Sequence, residues 1–103
     1  MRIDDVEVRL GRHEVVVAGQ PVVLARKEFQ VLALLATAGG AVCTRERIIA
    51  EVWGPTWPGA NRTLDVHVAT LRTKLGRPSL VETVRGVGYR LAITGGGGAG
   101  SVG

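Results

Sequence analysis

Between residue 61 and Ile93 the spacing of apolar residues changes period once, from helix-like to strand-like. Leu64, Val68, Leu71 and Leu75 recur every three or four positions, the repeat of a helix with one inward face. Gly76 stops that repeat, and Pro78 lies two residues beyond it. Leu80–Arg85 and Tyr89–Ile93 then read as two extended runs. Gly86-Val87-Gly88 joins them and supplies the positive φ of a tight hairpin. A helix from about Asn61 or Arg62 to Leu75, followed at once by a β-hairpin, limits the chain more than any other feature.

The rest of the chain is compatible with one domain around that unit. Its 103 residues allow one domain with a core of its own, and 46% hydrophobic content excludes a wholly disordered chain. Val6, Val8 and Leu10 alternate with Glu7 and Arg9, as in a half-buried strand. Gly11-Arg12 is a turn candidate. Glu14–Val17 and Val22–Leu24 give two further strands, with a turn at 18–21. The expected result is an antiparallel sheet of about three short strands. Two helices precede the one already described. The first spans about Arg26–Ala38, with Phe29, Leu32, Leu35 and Ala36 inward and Gly39-Gly40 as its stop. The second starts after Thr44 as N-cap, carries Ile48, Ile49, Val52 and Trp53 inward, and ends at Gly54-Pro55. The predicted class is α+β: a small sheet, three helices, a hairpin. Six of 15 glycines fall in residues 95–103, so 2–94 is expected to fold and 95–103 to form a flexible tail.

The charge is unevenly placed. Of the net +4, none belongs to residues 1–60, where seven basic residues meet seven acidic ones. Residues 61–103 carry six basic residues against Asp65 and Glu82. Such asymmetry points to a surface for an anionic partner. On a helical wheel the third helix turns Arg62, Val66, Ala69, Thr70 and Thr73 away from the apolar side. Small and β-branched side chains there allow close approach to a DNA major groove, and Thr can hydrogen-bond a base edge. Arg72 and Lys74 on the flanks suit phosphates. The helix alone leaves a second reading open, an ordinary solvent face. The hairpin adds Thr83, Arg85 and Arg90, placed to enter a neighbouring minor groove, or simply solvated.

Two long motifs carry a family resemblance. They are Arg62-Thr63-Leu64-Asp65-Val66-His67-Val68 continuing through Leu71–Leu75, and Glu82-Thr83-Val84-Arg85-Gly86-Val87-Gly88-Tyr89-Arg90-Leu91. Lys27-Glu28-Phe29, Arg45-Glu46 and Val52-Trp53-Gly54 support them. Over about residues 3–93 the chain resembles the winged helix-turn-helix effector domain of OmpR/PhoB-type response regulators. The resemblance implies that the third helix reads DNA and the hairpin is its wing. It implies backbone or groove contacts by Arg62, Arg72, Thr83, Arg85 and Tyr89, and base reading at Ala69 and Thr70. It implies two copies on direct repeats about one helical turn apart. In the loop 54–60 it implies an RNA polymerase contact, with Pro55, Thr56 and Trp57 as candidates. Ala25 stands where such domains usually have Thr or Ser, a lost N-cap worth ~1 kcal/mol. Ala69 and Thr70 stand where some members carry Arg, which shifts readout toward methyl contacts and DNA shape. No receiver domain fits in this length, so the chain is expected to be an excised effector, a stand-alone regulator or part of another fusion.

Other chemistry is poorly supported. Cys43, His13 and His67 lack metal-ligand spacing, and Cys43 reads as a small core residue. No nucleophile or carboxylate pair points to an enzyme, and no cofactor is expected. His67 reads as packing, Asp65 as support for the helix dipole, Trp53 as core and Trp57 as a loop anchor. The absence of a long apolar run or signal segment, and the single cysteine, suggest a cytoplasmic protein without a membrane partner. A winged helix that binds protein through the hairpin and Trp57 is the alternative function.

Overall fold

The computed structural model describes residues 1–54 and 57–93. Pro55 and Thr56 of the anticipated polymerase loop, and the glycine-rich tail at 95–103, lie outside the described residues. The chain begins with four strands, β1 (Arg2–Ile3), β2 (Val6–Arg9), β3 (Glu14–Val17) and β4 (Gln20–Val22). They form one antiparallel sheet in that order. The expected strand count of three is corrected to four. β1 is two residues long, too short to show a period, and is made by pairing Ile3 with Val6. Leu10 leaves the expected alternation: it opens a short 3₁₀ turn, Leu10–Arg12, and is exposed. The last strand also shifts toward the N-terminus, because Gln20 and Pro21 pair with Val17 and Val16. Proline is tolerated there because β4 is an edge strand. Val23, expected within that strand, follows it and is 87% exposed.

Three helices follow: α1 (Arg26–Thr37), α2 (Arg45–Val52) and α3 (Ala60–Leu75). Ala25 offers α1 no side-chain acceptor, as expected. Glu28 compensates in part, its carboxylate accepting the Ala25 N–H at 2.8 Å. Thr44 caps α2 by accepting the Arg47 N–H at 3.1 Å. α3 begins at Ala60, one residue before the expected start. Gly59 adopts a left-handed φ of 72° just ahead of it, and Ala60 is buried. Gly76 ends α3 with φ 65°, its N–H shared by the Arg72 and Thr73 carbonyls.

The hairpin consists of β6 (Val81–Val84) and β7 (Gly88–Leu91). A two-residue strand, β5 (Cys43–Thr44), adds to β7 and makes a three-stranded sheet in the order β5-β7-β6. This strand has no visible period in the sequence. It also corrects the role of Gly88. Gly86 supplies the positive φ, at 75°, whereas Gly88 is a strand residue. A Cβ on Gly88 would lie 2.0 Å from the Cys43 carbonyl oxygen. Glycine is needed at 88 so that β5 can approach.

One core unites these pieces. Val6, Val8, Val15 and Val17 come from the first sheet and Phe29, Leu32 and Leu35 from α1. Leu64, Val68, Leu71 and Leu75 of α3 join it together with the hairpin residues Val81 and Leu91. The inward face of α3 is therefore the one its spacing predicts, and Cys43 is buried in the same core. Burying that face fixes which side of α3 remains outward.

Candidate nucleic-acid interface

The outward side of α3 carries Arg62, Val66, Ala69 and Thr73, all exposed, and Thr70, half-buried. Val66 is 55% exposed. Arg62 makes no hydrogen bond or ion pair among the described residues. Thr70 Oγ1 donates to the Val66 carbonyl at 3.0 Å and Thr73 Oγ1 to the Ala69 carbonyl at 3.1 Å.

The flanking cations differ in how far they are committed. Arg72 Nε and Nη2 donate to the Val81 carbonyl at 3.0 and 2.6 Å, and Nη2 also to Thr83 Oγ1 at 2.9 Å. These partners are neutral, so Arg72 keeps its full charge while tying α3 to β6. Lys74 instead pairs with Glu28 at 2.8 Å, back toward α1. Burial pushes the Glu28 carboxyl upward, but the hydrogen bonds from Lys74 and from Ala25 N–H outweigh it, leaving the group below its ordinary range. Arg90 pairs with Glu82 directly across the hairpin at 2.7 Å. Arg85 lies exposed at the turn with no hydrogen-bond or ion-pair partner among the described residues.

Tyr89 is buried and lies close to two guanidinium groups. The Cζ atoms of Arg45 and Arg72 both lie 5.9 Å from its ring centroid. Its hydroxyl donates to Asp65 Oδ1 at 2.6 Å. Arg45 pairs with the same oxygen at 2.9 Å, and also holds Asn61 through the side-chain Oδ1 at 3.0 Å and the backbone carbonyl at 2.9 Å. The hydrogen bond from Arg45, helped by that from Tyr89, holds the Asp65 carboxyl below its ordinary range. Burial, then the bond to Asp65, raises the Tyr89 hydroxyl above its own. Asp65 thus joins the start of α2, the first turns of α3 and the wing. The dipole role expected of Asp65 is corrected: α3 starts at Ala60, so Asp65 lies beyond the first turn and acts through these bonds instead, and Arg45 has no role legible in the sequence. The Arg45-Glu46 stretch marked the position without showing what it would touch.

By strand alternation Thr83 and Tyr89 share the hairpin face toward α3, while Glu82 and Arg90 share the other. The structure brings Arg72, Thr83 and Tyr89 together and leaves Arg62 and Arg85 projecting. Trp57 is 47% exposed with its ring 6.5 Å from that of Trp53, so it is both anchored and accessible. Trp53 packs on the core edge and meets His67 edge-on at 5.1 Å. His67 Nδ1–H donates to the Thr63 carbonyl at 2.8 Å, a packing role.

Residues 19–91 match the family described as "Transcriptional regulatory protein, C terminal". The DrrB response regulator of Thermotoga maritima, an OmpR/PhoB homolog, superposes with a TM-score of 0.78 at 28% identity, covering 88% of this chain and 43% of DrrB. The chain belongs to the OmpR/PhoB-type family of regulatory C-terminal domains. Its fold is the winged helix-turn-helix, with α3 in the recognition position and β6–β7 as the wing. This OmpR/PhoB-type domain is also similar to the Klebsiella pneumoniae RstA DNA-binding domain in complex with the RstA box. The TM-score there is 0.79 at 29% identity, over 89% of this chain and 95% of that one. The sensory transduction protein RegX3 of Mycolicibacterium smegmatis is 43% identical over 90 residues, 84% of this chain and 40% of RegX3. The chain spans about two fifths of the length of the curated relatives it matches.

Proposed function

We propose that this OmpR/PhoB-type domain binds double-stranded DNA sequence-specifically as the output domain of a transcriptional regulator in a two-component system. α3 enters the major groove and the wing turn reaches the adjacent minor groove. The observation that supports this most is the joint placement of two exposed arginines. Arg62 on α3 and Arg85 on the wing bracket an outward face whose neighbouring carboxylate, Asp65, is already paired with Arg45, on the fold of a domain solved on its DNA. Arg72, Thr83 and Tyr89 then act at the phosphate backbone and in holding helix and wing together.

Finer assignments extend this reading. Two copies bind direct repeats spaced about one helical turn. The α2–α3 loop with Trp57 contacts RNA polymerase. The protein works in the cytoplasm; among the described residues no helix is long and apolar enough to cross a membrane. Selection of duplexes from random DNA, followed by titration across salt, tests the proposal. Enrichment of one motif, with affinity falling as salt rises, is expected. Failure to bind any duplex at low salt overturns it and favours a protein-binding winged helix.

A further inference from the structure

We propose that α3 reads its site chiefly through thymine C5-methyl groups, so the bases beneath Val66, Ala69, Thr70 and Thr73 are T·A pairs. This rests on the DNA-binding reading above and concerns which bases the helix accepts. The decisive geometry is where the hydroxyl protons go. A hydroxyl has one proton. Those of Thr70 and Thr73 are given to the carbonyls of Val66 and Ala69, and that of Thr63 to the Gly59 carbonyl at 3.1 Å. With Oγ1 turned back along the helix, the two outward threonines present a methyl group and oxygen lone pairs.

From residue 66 to residue 73 the outward face therefore offers methyl groups and acceptors but no donor. A G·C pair and a T·A pair each show two acceptors and one amino donor to the major groove, so a surface without donors separates them only by the thymine C5-methyl. Thymine shows a methyl that apolar groups can cover. Adenine shows an N6 amino donor that a threonine oxygen can accept. The flanking donors nearest these residues are partly engaged in the fold. Two nitrogens of Arg72 are held by Val81, and Lys74 is held by Glu28. Arg62, a full turn before Val66, serves only the end of the face.

The experiment uses the full chain and the duplex recovered by selection from random DNA. Each thymidine in turn is replaced by deoxyuridine, which removes the methyl and keeps the base pair. Loss of a covered methyl should weaken binding about three- to fivefold at one or more adjacent positions. Val66→Ala, a change at an exposed site, should shrink the thymidine-to-deoxyuridine difference at one of them. Equal affinity for every deoxyuridine duplex overturns the inference while leaving DNA binding intact. So does a selected motif with guanine throughout the central positions, or a deoxyuridine effect that Val66→Ala leaves unchanged. A chain that selects no duplex overturns this inference and the DNA-binding reading together.

Discussion

At the scale of single residues, two glycines of one turn sequence do different work. Gly86 has open space where a Cβ would stand, but a φ of 75°. Gly88 has an ordinary φ, and no room. Gly86→Ala should cost about 1 kcal/mol through backbone strain alone. Gly88→Ala drives a Cβ into the backbone of β5, which cannot swing aside as a side chain can, and should cost about 1–3 kcal/mol. Urea unfolding should rank the midpoints as parent, then Gly86→Ala, then Gly88→Ala. Displacement of β5 has its own signature. Cys43, fully buried in the parent, should react faster with a thiol reagent in Gly88→Ala and not in Gly86→Ala. The residues alone give no way to separate the two glycines. The distinction depends on a strand of two residues that carries no period and exists because β7 has a free edge. By contrast the inward set Leu64, Val68, Leu71 and Leu75 is legible residue by residue, because a helix repeats its burial four times over.

At the scale of elements, the recognition helix and the wing are joined by Asp65 and Tyr89. Tyr89 is the chain's only tyrosine, so tyrosinate absorbance reports this one group. Its midpoint should lie above the ordinary 10.0 in the folded protein. Asp65→Asn removes the negative charge that disfavours tyrosinate, and should move that midpoint down. The sign for stability follows. A raised tyrosine contributes stability that is complete below pH 10 and lost as pH rises through the folded value. Glu28 and Asp65 act at the other end, both held below their ordinary values of 4.5 and 3.8. Their contribution is complete above those values and is lost as pH falls through the lower, folded ones. Urea midpoints measured downward from pH 5 should therefore decline, and Glu28→Gln should flatten the decline by removing one of the titrating carboxylates. A sequence can show Asp65 in a helix and Tyr89 in a strand. It cannot show that folding brings residues 24 positions apart within hydrogen-bond distance. That depends on the angle between α3 and the wing, which the shared core sets.

At the scale of the whole molecule, net charge is a poor measure of what DNA would meet. Residues 61–103 carry the whole excess, yet folding divides their cations into unlike groups. Lys74 and Arg90 each face a carboxylate, at 2.8 and 2.7 Å. Arg72 is tied to neutral acceptors and retains its charge, and Arg62 and Arg85 project freely among the described residues. A cation already paired within the fold must give up its carboxylate before it can serve a phosphate, so little is gained on binding. Counterion release gives a slope of log affinity against log salt of about 0.9 per phosphate neutralised on duplex DNA. Arg62→Ala and Arg85→Ala should each flatten the slope by about 1, whatever the DNA sequence. Lys74→Ala and Arg90→Ala should leave it nearly unchanged. If all four substitutions flatten the slope alike, the intramolecular pairs open on binding and the interface includes α1's edge and the far face of the wing. A graded result confines it to the outward face of α3 and the tip of the hairpin, where Arg62 and Arg85 lie.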